Sequence, residues 1–401
     1  MPTRRNFLAA PAALAAAVPG APAGRPAPVT SKKIRMAVVG GGFGREFGWH
    51  EHSGCVVNGV TDLRADRRKL LRDRYQCDAV YDSLEQMLER ARDIDAVAIF
   101  SGAPDHCRHV EMCMRRGLDV ISAVPAVISL EQAERLRDAK RSTGLRYMMA
   151  ETSWFRQATI HARDLYRKGA FGELFYSELE YYHDGGERKQ LALEPRSRLF
   201  EPDGSRSWRW GLPPMLYPTH SMGFLVGVTG ERIRRVSCLG WGPDEPGRGD
   251  NAYKNPFVSQ SSVMQTDRGH MARCNVFWAV AGIEERAQWF GSKGTFYMRN
   301  MDVHPDAWRS NELNAKMEPV AVPEYWRSDP MLPPGLRHAS GHGGSHVFLA
   351  AEFVNALLED REPVVDVYEA LAMTVPGIVA HQSSLNNGEQ MKVPDFGRRV
   401  R

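Results

Sequence analysis

Short apolar runs alternate with longer charged segments through the first 150 residues or so. Five runs have the length and composition of buried strands, at 34–39, 56–60, 96–100, 120–122 and 145–150. Amphipathic stretches of helical length lie between several of them, at 84–91, 106–116 and 130–142. Buried strands that alternate with helices are typical of a parallel sheet covered on both faces. We therefore predict an α/β domain over residues 32–150.

The pattern changes after residue 151, where strands of alternating polarity replace the buried runs. The first strand-like segments are 175–182 and 233–241. Two further pairs of strands flank short glycine-containing turns, 261–265 with 270–280 and 287–290 with 295–298. Hairpins of this kind build antiparallel sheet. We predict an α+β domain over 151–401 with a large open, mainly antiparallel sheet, whose closing helices (345–359 and 367–384) pack back on the first domain.

The N-terminus has the layout of a secretory leader. The pair Arg4-Arg5 precedes an alanine-rich apolar stretch at 9–18, and Ala21-Pro22-Ala23 offers a small-residue cleavage site. These features predict a twin-arginine signal peptide over 1–23 and a linker over 24–31, and hence a periplasmic or extracellular protein. The apolar stretch is too short for a good membrane span, so we expect none. Whether the leader is cleaved stays open.

Charge and cysteine content exclude several classes of protein. The chain of 401 residues has 52 Lys and Arg against 48 Asp and Glu, and 43% of its residues are hydrophobic. This balance excludes a disordered or collagen-like chain and argues against a nucleic-acid partner. Six cysteines without a Cys-x-x-Cys pair predict buried free thiols.

A glycine-rich turn follows the first strand and precedes a segment expected to be helical. Glycines allow close approach to a pyrophosphate, which the helix N-terminus then faces. Asp62 ends the second strand, where an acid binds the ribose hydroxyl of an adenosine. Asp62 favours NAD as cofactor, whereas Arg64 keeps NADP possible, and a purely structural turn is the alternative. The predicted cofactor contacts here are Gly40, Gly42, Phe43, Gly44, Arg45 (which replaces the third glycine of the fingerprint) and Asp62.

Further motifs make the chain resemble the Gfo/Idh/MocA family of oxidoreductases. They include Ala103-Pro104-Asp105-His106 after the third strand, Gly117-Leu118-Asp119-Val120 before the fourth, and Pro363-Val364-Val365-Asp366 near the end. The resemblance implies a Rossmann domain with bound NAD(P) and an open sheet that holds a carbohydrate substrate against the nicotinamide. It also implies self-association as a homo-oligomer, and it places Pro104 and His106 beside the cofactor.

Two positions depart from the pattern of that family. Its dehydrogenases carry Glu-Lys-Pro after the fourth strand, where the lysine assists proton transfer, but this chain has Ala123-Val124-Pro125. An aspartate often found four residues before a catalytic histidine is replaced by Leu216, while the histidine itself is present as His220. Alcohol oxidation with the usual lysine base is therefore in doubt.

The same segments are similar to the NAD-dependent branch of this family that cleaves glycosides, glycoside hydrolase family 109. The matching motifs are Tyr217-Pro218-Thr219-His220, Glu151 at the start of the second domain, Tyr181-Tyr182-His183-Asp184, and the loop 341–344 around His342. This resemblance implies transient oxidation of a sugar at C3, elimination at the neighbouring C2, addition of water and return of the hydride.

The resemblance and side-chain chemistry together assign roles at this site. His220 would transfer protons, with a pKa lowered by the start of its helix, and Tyr217 and Tyr181 would donate to a developing oxyanion. Glu151 would orient the nicotinamide ribose or act as a base. His220 satisfied by a carboxylate and Tyr181 as a cross-strand aromatic are the structural alternatives. The remaining predicted substrate contacts are His183, which also fits a structural role, and His342.

Three further features allow more than one interpretation. His338, His342 and His346 are spaced by four as metal ligands on a helix would be, but the glycines between them interrupt a helix. We therefore predict a substrate loop and no metal. His109 is expected on the surface. The arginine-rich insert 196–209 suits a carboxylated or sulfated substrate, and a solvated loop explains it equally well.

Export adds a constraint, because no nicotinamide pool outside the cytoplasm would reoxidise a released cofactor. The sequence thus predicts an enzyme that keeps its NAD(P) bound and regenerates it in each turnover on a sugar or glycoside. A conventional sugar dehydrogenase or sugar–sugar oxidoreductase is one alternative. A non-catalytic sugar or nucleotide sensor on the same fold is another.

Overall fold

A computed structural model describes residues 33–183, 199–244, 247–280, 283–300 and 303–399. The predicted leader and linker lie outside these ranges. So do Asp184 of the Tyr-x-His-Asp motif and residues 196–198 of the arginine-rich insert.

The first domain is a parallel six-stranded sheet in the order β3-β2-β1-β4-β5-β6, the strand order of Rossmann folds. Its strands are β1 (Ile34–Val39), β2 (Cys55–Thr61), β3 (Val80–Tyr81), β4 (Ala96–Ile99), β5 (Asp119–Ser122) and β6 (Tyr147–Met149). Its helices are α1 (Ala65–Tyr75), α2 (Leu84–Arg90), α3 (His106–Arg115) and α4 (Leu130–Thr143). The predicted Rossmann architecture is confirmed.

Two elements of this domain escaped the sequence pattern. The α1 helix is so rich in charge that it buries only Leu71 and Tyr75, and it therefore shows no apolar stripe. The β3 strand has two residues, too few for a periodicity to register. Both lie at the edge of the domain, where little burial is needed.

The helix expected after the glycine turn is absent among the described residues, and this prediction was wrong. Two short 3-10 turns, Gly44–Glu46 and Trp49–Glu51, connect β1 to β2 instead. The Tyr75 hydroxyl donates to the carbonyl oxygens of Gly44 at 2.6 Å and Phe47 at 2.9 Å. Phe47 and Trp49 are fully buried and stack at 5.5 Å. Aromatic packing thus takes the place of helical hydrogen bonds in this connection.

The second domain is a nine-stranded sheet in the order β14-β13-β12-β11-β7-β10-β9-β8-β15. Its strands are β7 (Leu174–His183), β8 (Ile233–Trp241), β9 (Ser259–Thr266), β10 (Met271–Phe277), β11 (Ile283–Gly291), β12 (Gly294–Tyr297), β13 (Ala307–Ser310), β14 (Glu318–Pro319) and β15 (Met391–Lys392). The β9–β10 and β11–β12 pairs are antiparallel, as the turns predict. The central β7 separates the two hairpins and runs parallel to β10, so the sheet is mainly but not wholly antiparallel.

Helices cover one face of this sheet and leave the other face open. They are α5 (Gln157–Arg167), α6 (Thr219–Thr229), α7 (Gly341–Leu358) and α8 (Val367–Leu385). Every residue of α6 is buried, and alternate residues of β9 are exposed on the opposite face. The segment before α8 returns to the first domain, where the Met149 amide donates to the Val365 carbonyl at 3.0 Å. The two domains therefore share a continuous core beside their cleft.

Two further predictions can be compared with the described residues. All six cysteines are buried and none forms a disulfide, as expected. Of the helices in the described ranges, none combines the length and the apolar character that a membrane crossing requires.

Candidate active site

The glycine turn is shaped so that only glycine fits at its first position. Gly40 has a φ of +95°, and a Cβ there would lie 2.3 Å from the Phe100 carbonyl oxygen. Gly42, in contrast, is exposed, and a Cβ there would meet nothing closer than 3.8 Å. The turn is thus closed against the protein on one side and open on the other. This is the cradle that a dinucleotide pyrophosphate needs.

Asp62 lies at the carboxyl end of β2 and is held toward the turn. Its carboxylate accepts hydrogen bonds from the amides of Gly41 at 2.7 Å and Arg64 at 2.8 Å. The Arg64 guanidinium is paired with Asp66 at 2.7 Å. An acid beside the turn, with the nearby arginine already paired, fits NAD better than NADP. The exposed Arg45 pairs with its neighbour Glu46 at 3.1 Å, a contact that says nothing about the cofactor.

The two histidines after β4 are both buried, which contradicts the surface position predicted for His109. His106 is 1% exposed, and its ring nitrogens contact the carbonyl oxygens of Pro125 at 2.7 Å and Ser101 at 3.0 Å. Both nitrogens are occupied by backbone, so His106 holds two loops together, and its contact with the cofactor stays a prediction. His109, expected on the surface, is buried and contacts the Ser101 hydroxyl at 2.8 Å. Pro104 is half-buried in the turn at this end of the sheet.

A buried histidine–carboxylate pair lies at the start of α6. His220 is in the first turn of this helix, as predicted, and its Nδ1 lies 2.9 Å from Glu151 Oε1. The same oxygen accepts the Ser153 amide at 2.7 Å, while Glu151 Oε2 is buried and has no hydrogen-bond partner. The Glu151 side chain is wholly buried. Glu151 therefore positions His220.

The expected direction of the His220 pKa was wrong. Burial lowers this pKa, but the adjacent Glu151 carboxylate raises it by more, and the net pKa lies above the usual value. The helix N-terminus is a partial charge, whereas the carboxylate is a full charge in direct contact. The ring of His220 is thus satisfied by a carboxylate, as the structural alternative expects, while its catalytic role stays a prediction.

Aromatic rings surround the other side of His220. The ring centroid of Tyr181 lies 4.7 Å from that of His220, and Tyr217 lies 5.5 Å from it. Tyr181 and Tyr217 are 6.1 Å apart, and Trp278 stands 5.8 Å from each. Burial raises the pKa of Tyr181 well above its usual value, so its hydroxyl keeps its proton and can donate it in a hydrogen bond. His183, at the end of β7, lies 5.7 Å from Tyr181.

The loop 341–344 brings a second histidine into the same cleft. His342, Gly343 and Gly344 all have positive φ, of 50°, 65° and 88°. A run of left-handed residues is strained for histidine and is typical of functional sites. The His342 ring lies 6.4 Å from His220 and 5.7 Å from Phe43 of the glycine turn. The cleft between the two domains is thus closed by one loop that touches both sides.

Of the three spaced histidines, His342 and His346 contact each other and His338 lies apart. His342 Nδ1 lies 2.8 Å from His346 Nε2, and His346 Nδ1 lies 3.3 Å from the Glu46 carbonyl oxygen. His338 instead pairs with Glu51 at 2.8 Å. Across the described residues, no group of three or more His, Cys, Asp or Glu side chains is arranged to hold a metal.

Sequence reasoning missed an ion pair beside the site. Arg156, five residues after Glu151, pairs with Glu285 on β11, and Glu285 is directly opposite Tyr181 in the sheet. Burial raises the pKa of Glu285, but Arg156 lowers it by more, so the acid remains charged. A charged residue on the inner side of a strand was the available signal, and it needed the sheet register to be recognised.

The two departures from the dehydrogenase pattern are structural as well as chemical. Val124 and Leu216 are both buried, at 6% and 7% exposure, and both belong to the apolar core. Neither position offers a group that can move a proton. His220 with Glu151 is therefore the strongest proton-transfer pair that the described cleft contains.

Comparison with known proteins agrees with these features. Residues 34–151 match the model of the oxidoreductase family with an NAD-binding Rossmann fold, Gfo/Idh/MocA. Residues 34–151 thus form an NAD-binding Rossmann domain of the Gfo/Idh/MocA oxidoreductase type. Residues 288–400 match the C-terminal domain of glycosyl hydrolase 109. The chain therefore joins a Gfo/Idh/MocA Rossmann domain to a glycosyl hydrolase 109 C-terminal domain.

Curated relatives of this chain are named as glycosyl hydrolase family 109 proteins. A glycosyl hydrolase family 109 protein from Stenotrophomonas maltophilia is 23% identical over 98% of this chain and 95% of its own length. One from Bacteroides fragilis is 29% identical over 79% of this chain and 78% of its own. For one from Streptomyces niveus, at 24% identity, the match covers 78% of this chain but only 65% of the relative.

Solved structures share the fold at low identity. Levoglucosan dehydrogenase in complex with NADH and L-sorbose has a TM-score of 0.72 at 14% identity, covering 91% of this chain and all of that one. Scyllo-inositol dehydrogenase from Lactobacillus casei with NAD(H) and scyllo-inositol has a TM-score of 0.67 at 17% identity, covering 90% and 99%. These likenesses establish the two-domain architecture.

Proposed function

We propose that this protein cleaves glycosides without net redox change, keeping NAD bound throughout the cycle. The observation that carries the proposal is the cleft in which His220, Tyr181, Tyr217 and His342 meet the glycine turn, with no lysine after β5. The hydrolase 109 domain and relatives support it. NAD, which the glycine turn and Asp62 would hold, would supply the hydride acceptor for the sugar and the hydride donor that restores it.

His220 is the proposed proton carrier for the sugar hydroxyl. Because Glu151 accepts from Nδ1, the ring is held with Nε2 as the nitrogen that takes the proton. Because its pKa is raised, His220 is a stronger base than a free imidazole, which suits proton removal from an alcohol. Glu151 then stabilises the imidazolium that forms.

Tyr181 and Tyr217 are the proposed donors to the oxygen that becomes a ketone and then an enolate. Their rings lie on the same side of His220. A phenol that keeps its proton donates to a developing oxyanion without competing for protons. Stabilising the enolate makes the carbon–hydrogen bond at the neighbouring C2 more acidic. Loss of that proton to a base then expels the glycosidic oxygen.

Isotope exchange tests this function. The NAD-loaded protein is incubated in deuterated water with a panel of aryl glycosides, and the released sugar is analysed by NMR. We expect deuterium at C2 of the sugar and no net NADH. Release without deuterium would contradict the elimination route, and accumulation of NADH with free monosaccharides would indicate the conventional dehydrogenase instead.

The same glycoside panel distinguishes a sensor built on this fold from an enzyme. A sensor would bind sugar and NAD but release no aglycone from any member of the panel. The buried Glu151–His220 pair disfavours that reading, because a charged buried pair without a chemical use is costly to maintain.

We propose that the protein is exported by the twin-arginine route. The support is the Arg4-Arg5 motif with the apolar stretch and cleavage site that follow it. Residues 1–31 fused to a folded reporter should carry the reporter out of the cytoplasm. Replacement of both arginines by lysine should retain the reporter inside, and export of that variant would contradict the proposal.

We also propose self-association through the open sheet face. Leu239, Trp241 and Val263 on the neighbouring strands β8 and β9 are each more than half exposed. Apolar side chains gathered on one face favour burial against another molecule. Light scattering should give an oligomer for the native chain and a smaller species for Val263→Arg.

A further inference from the structure

Arg209, at the end of the arginine-rich insert, has no anionic partner among the residues that the structure describes. The Arg209 guanidinium lies 4.2 Å above the Trp208 ring and 5.9 Å from the Tyr217 ring. Among the described residues, no carboxylate or other acceptor meets its side chain. Its hydrogen bonds are made by the backbone, from its amide to Ser207 and from the Leu212 amide to its carbonyl oxygen. Its charge is thus available to a ligand.

The segment that carries Arg209 is held rigidly over the cleft. The Tyr253 hydroxyl donates to the Trp208 carbonyl at 2.6 Å, and the Trp278 indole donates to the Leu212 carbonyl at 3.0 Å. Trp208 also packs on Gly102 after β4, where a Cβ would lie 2.9 Å from the indole ring. This segment therefore bridges the Rossmann edge and the sheet domain, with Arg209 between them.

The charge of Arg209 acts on a tyrosine of the proposed active site. Burial raises the pKa of Tyr181 most strongly, and the Arg209 charge partly opposes this effect. Arg209 thus acts electrostatically on the same tyrosine that stands beside His220. A substrate lying on Tyr181 and Tyr217 would present one of its substituents to the guanidinium.

We propose that Arg209 forms an anion subsite and that the natural substrate is a glycoside of an acidic sugar, carrying a carboxylate or a sulfate group. A guanidinium stacked on an indole keeps its edge free for two parallel hydrogen bonds, which match a carboxylate. The stacking also lowers the entropy cost of fixing the arginine. This inference rests on the proposed function for the position of the sugar ring.

Arg206 provides a matched control in the same segment. It too lies over a tryptophan, Trp210, at 4.5 Å, but its guanidinium donates to the Asp250 carbonyl at 3.1 Å and is exposed. Arg206→Gln and Arg209→Gln therefore remove the same charge and a similar stacking contact. Only Arg209 faces Tyr217.

The test is calorimetric binding to the NAD-loaded protein, with no need for turnover. The probes are methyl glucuronide, methyl galacturonide, methyl galactoside 6-sulfate and the uncharged methyl glucoside and galactoside. We expect one acidic class to bind on the order of 10- to 100-fold tighter than its neutral counterpart. Arg209→Gln should abolish this preference, Arg209→Lys should keep part of it, and Arg206→Gln should keep all of it. Whether carboxylate or sulfate is preferred identifies the source of the anion.

Two results would overturn the subsite. One is equal binding of acidic and neutral sugars by the native protein, or a preference that survives Arg209→Gln. The other is a loss of NAD affinity in Arg209→Gln with no change in sugar preference, which would assign the guanidinium to the cofactor phosphates. A preference that depends on Arg209, without deuterium at C2 of any released sugar, would keep the subsite and refute the proposed reaction.

Discussion

His220 shows how one contact decides the chemistry of a side chain. A histidine at a helix start is expected to lose basicity, but the carboxylate 2.9 Å away makes it more basic. The pair is buried, so the interaction is weakly screened by solvent. Two predictions at this scale follow from it.

Replacement His220→Gln should lower kcat on a cleaved glycoside by about 10²- to 10⁴-fold, because the glutamine cannot exchange a proton. NAD affinity should change little, since the side chain contacts Glu151 rather than the glycine turn. Steady-state kinetics and NAD titration measure the two effects. His304→Gln is the control and should be silent, because this half-buried histidine contacts the Pro305 carbonyl oxygen and the Tyr297 ring rather than the cleft.

Replacement Glu151→Gln should move the acidic limb of the pH–rate profile to lower pH. Removing the carboxylate charge leaves burial as the dominant influence on His220, so its pKa falls and the free base persists in more acidic solution. The profile of kcat between pH 4 and 9 measures this. An unchanged limb with reduced kcat would indicate that Glu151 has a structural role only.

The side chains of the site lie at the ends of strands and helices rather than along them. The carboxyl ends of β1 and β2 hold the glycine turn and Asp62, the first turn of α6 holds His220, and the left-handed start of α7 holds His342. At these ends the backbone leaves its regular conformation, so glycine and strained residues are needed there.

Gly40→Ala should weaken NAD binding by at least tenfold, because a Cβ would collide with the Phe100 carbonyl and displace the turn. Gly144→Ala, at the C-cap of α4 with a φ of +68° and nothing within 4 Å, is the matched control. It should cost about 1 kcal/mol of stability and leave NAD affinity unchanged. Fluorescence titration with NAD and chemical unfolding compare the pair.

At the scale of the whole molecule, buried histidines couple stability to pH. Burial lowers the pKa of His346 and of His381 to about 4. In the unfolded chain both titrate near 6.5, so their contribution to stability is complete above that pH and is lost as the pH falls toward 4. His220 acts in the opposite sense, since its raised pKa stabilises the fold at low pH and that stabilisation is lost as the pH rises through it.

Chemical unfolding between pH 7 and 4 should therefore show a falling free energy of unfolding. In His381→Gln, a change remote from the proposed active site, the fall should be shallower, because one of the buried histidines with a lowered pKa is gone. The Gln260 amide beside His381, 3.2 Å from its Nδ1, can still find a hydrogen-bond partner in the new side chain. Parallel curves for both proteins would contradict the burial argument.

Much of the architecture could be predicted because the buried faces of helices and strands require a periodic pattern of apolar residues. The strands β1, β8 and β10, the hairpins and the helices α3, α4 and α8 were recognisable from runs and alternations of apolar residues. The α1 helix and the 3-10 connection after Gly44 were not. The first buries too little surface, and the second is stabilised by Tyr75, which is distant in sequence.

The candidate site divides in the same way. Gly40, Asp62, Tyr217 and His220 stand in local motifs, whose conformation is dictated within a few residues, and the chain alone identified them. Only the tertiary structure decided three contacts: the pairing of Arg156 with Glu285, that of Glu151 with His220, and the position of Arg209 over Tyr217. Their meaning is electrostatic, and electrostatic energy depends on distances across the fold and on exclusion of water, neither of which is written in sequence spacing.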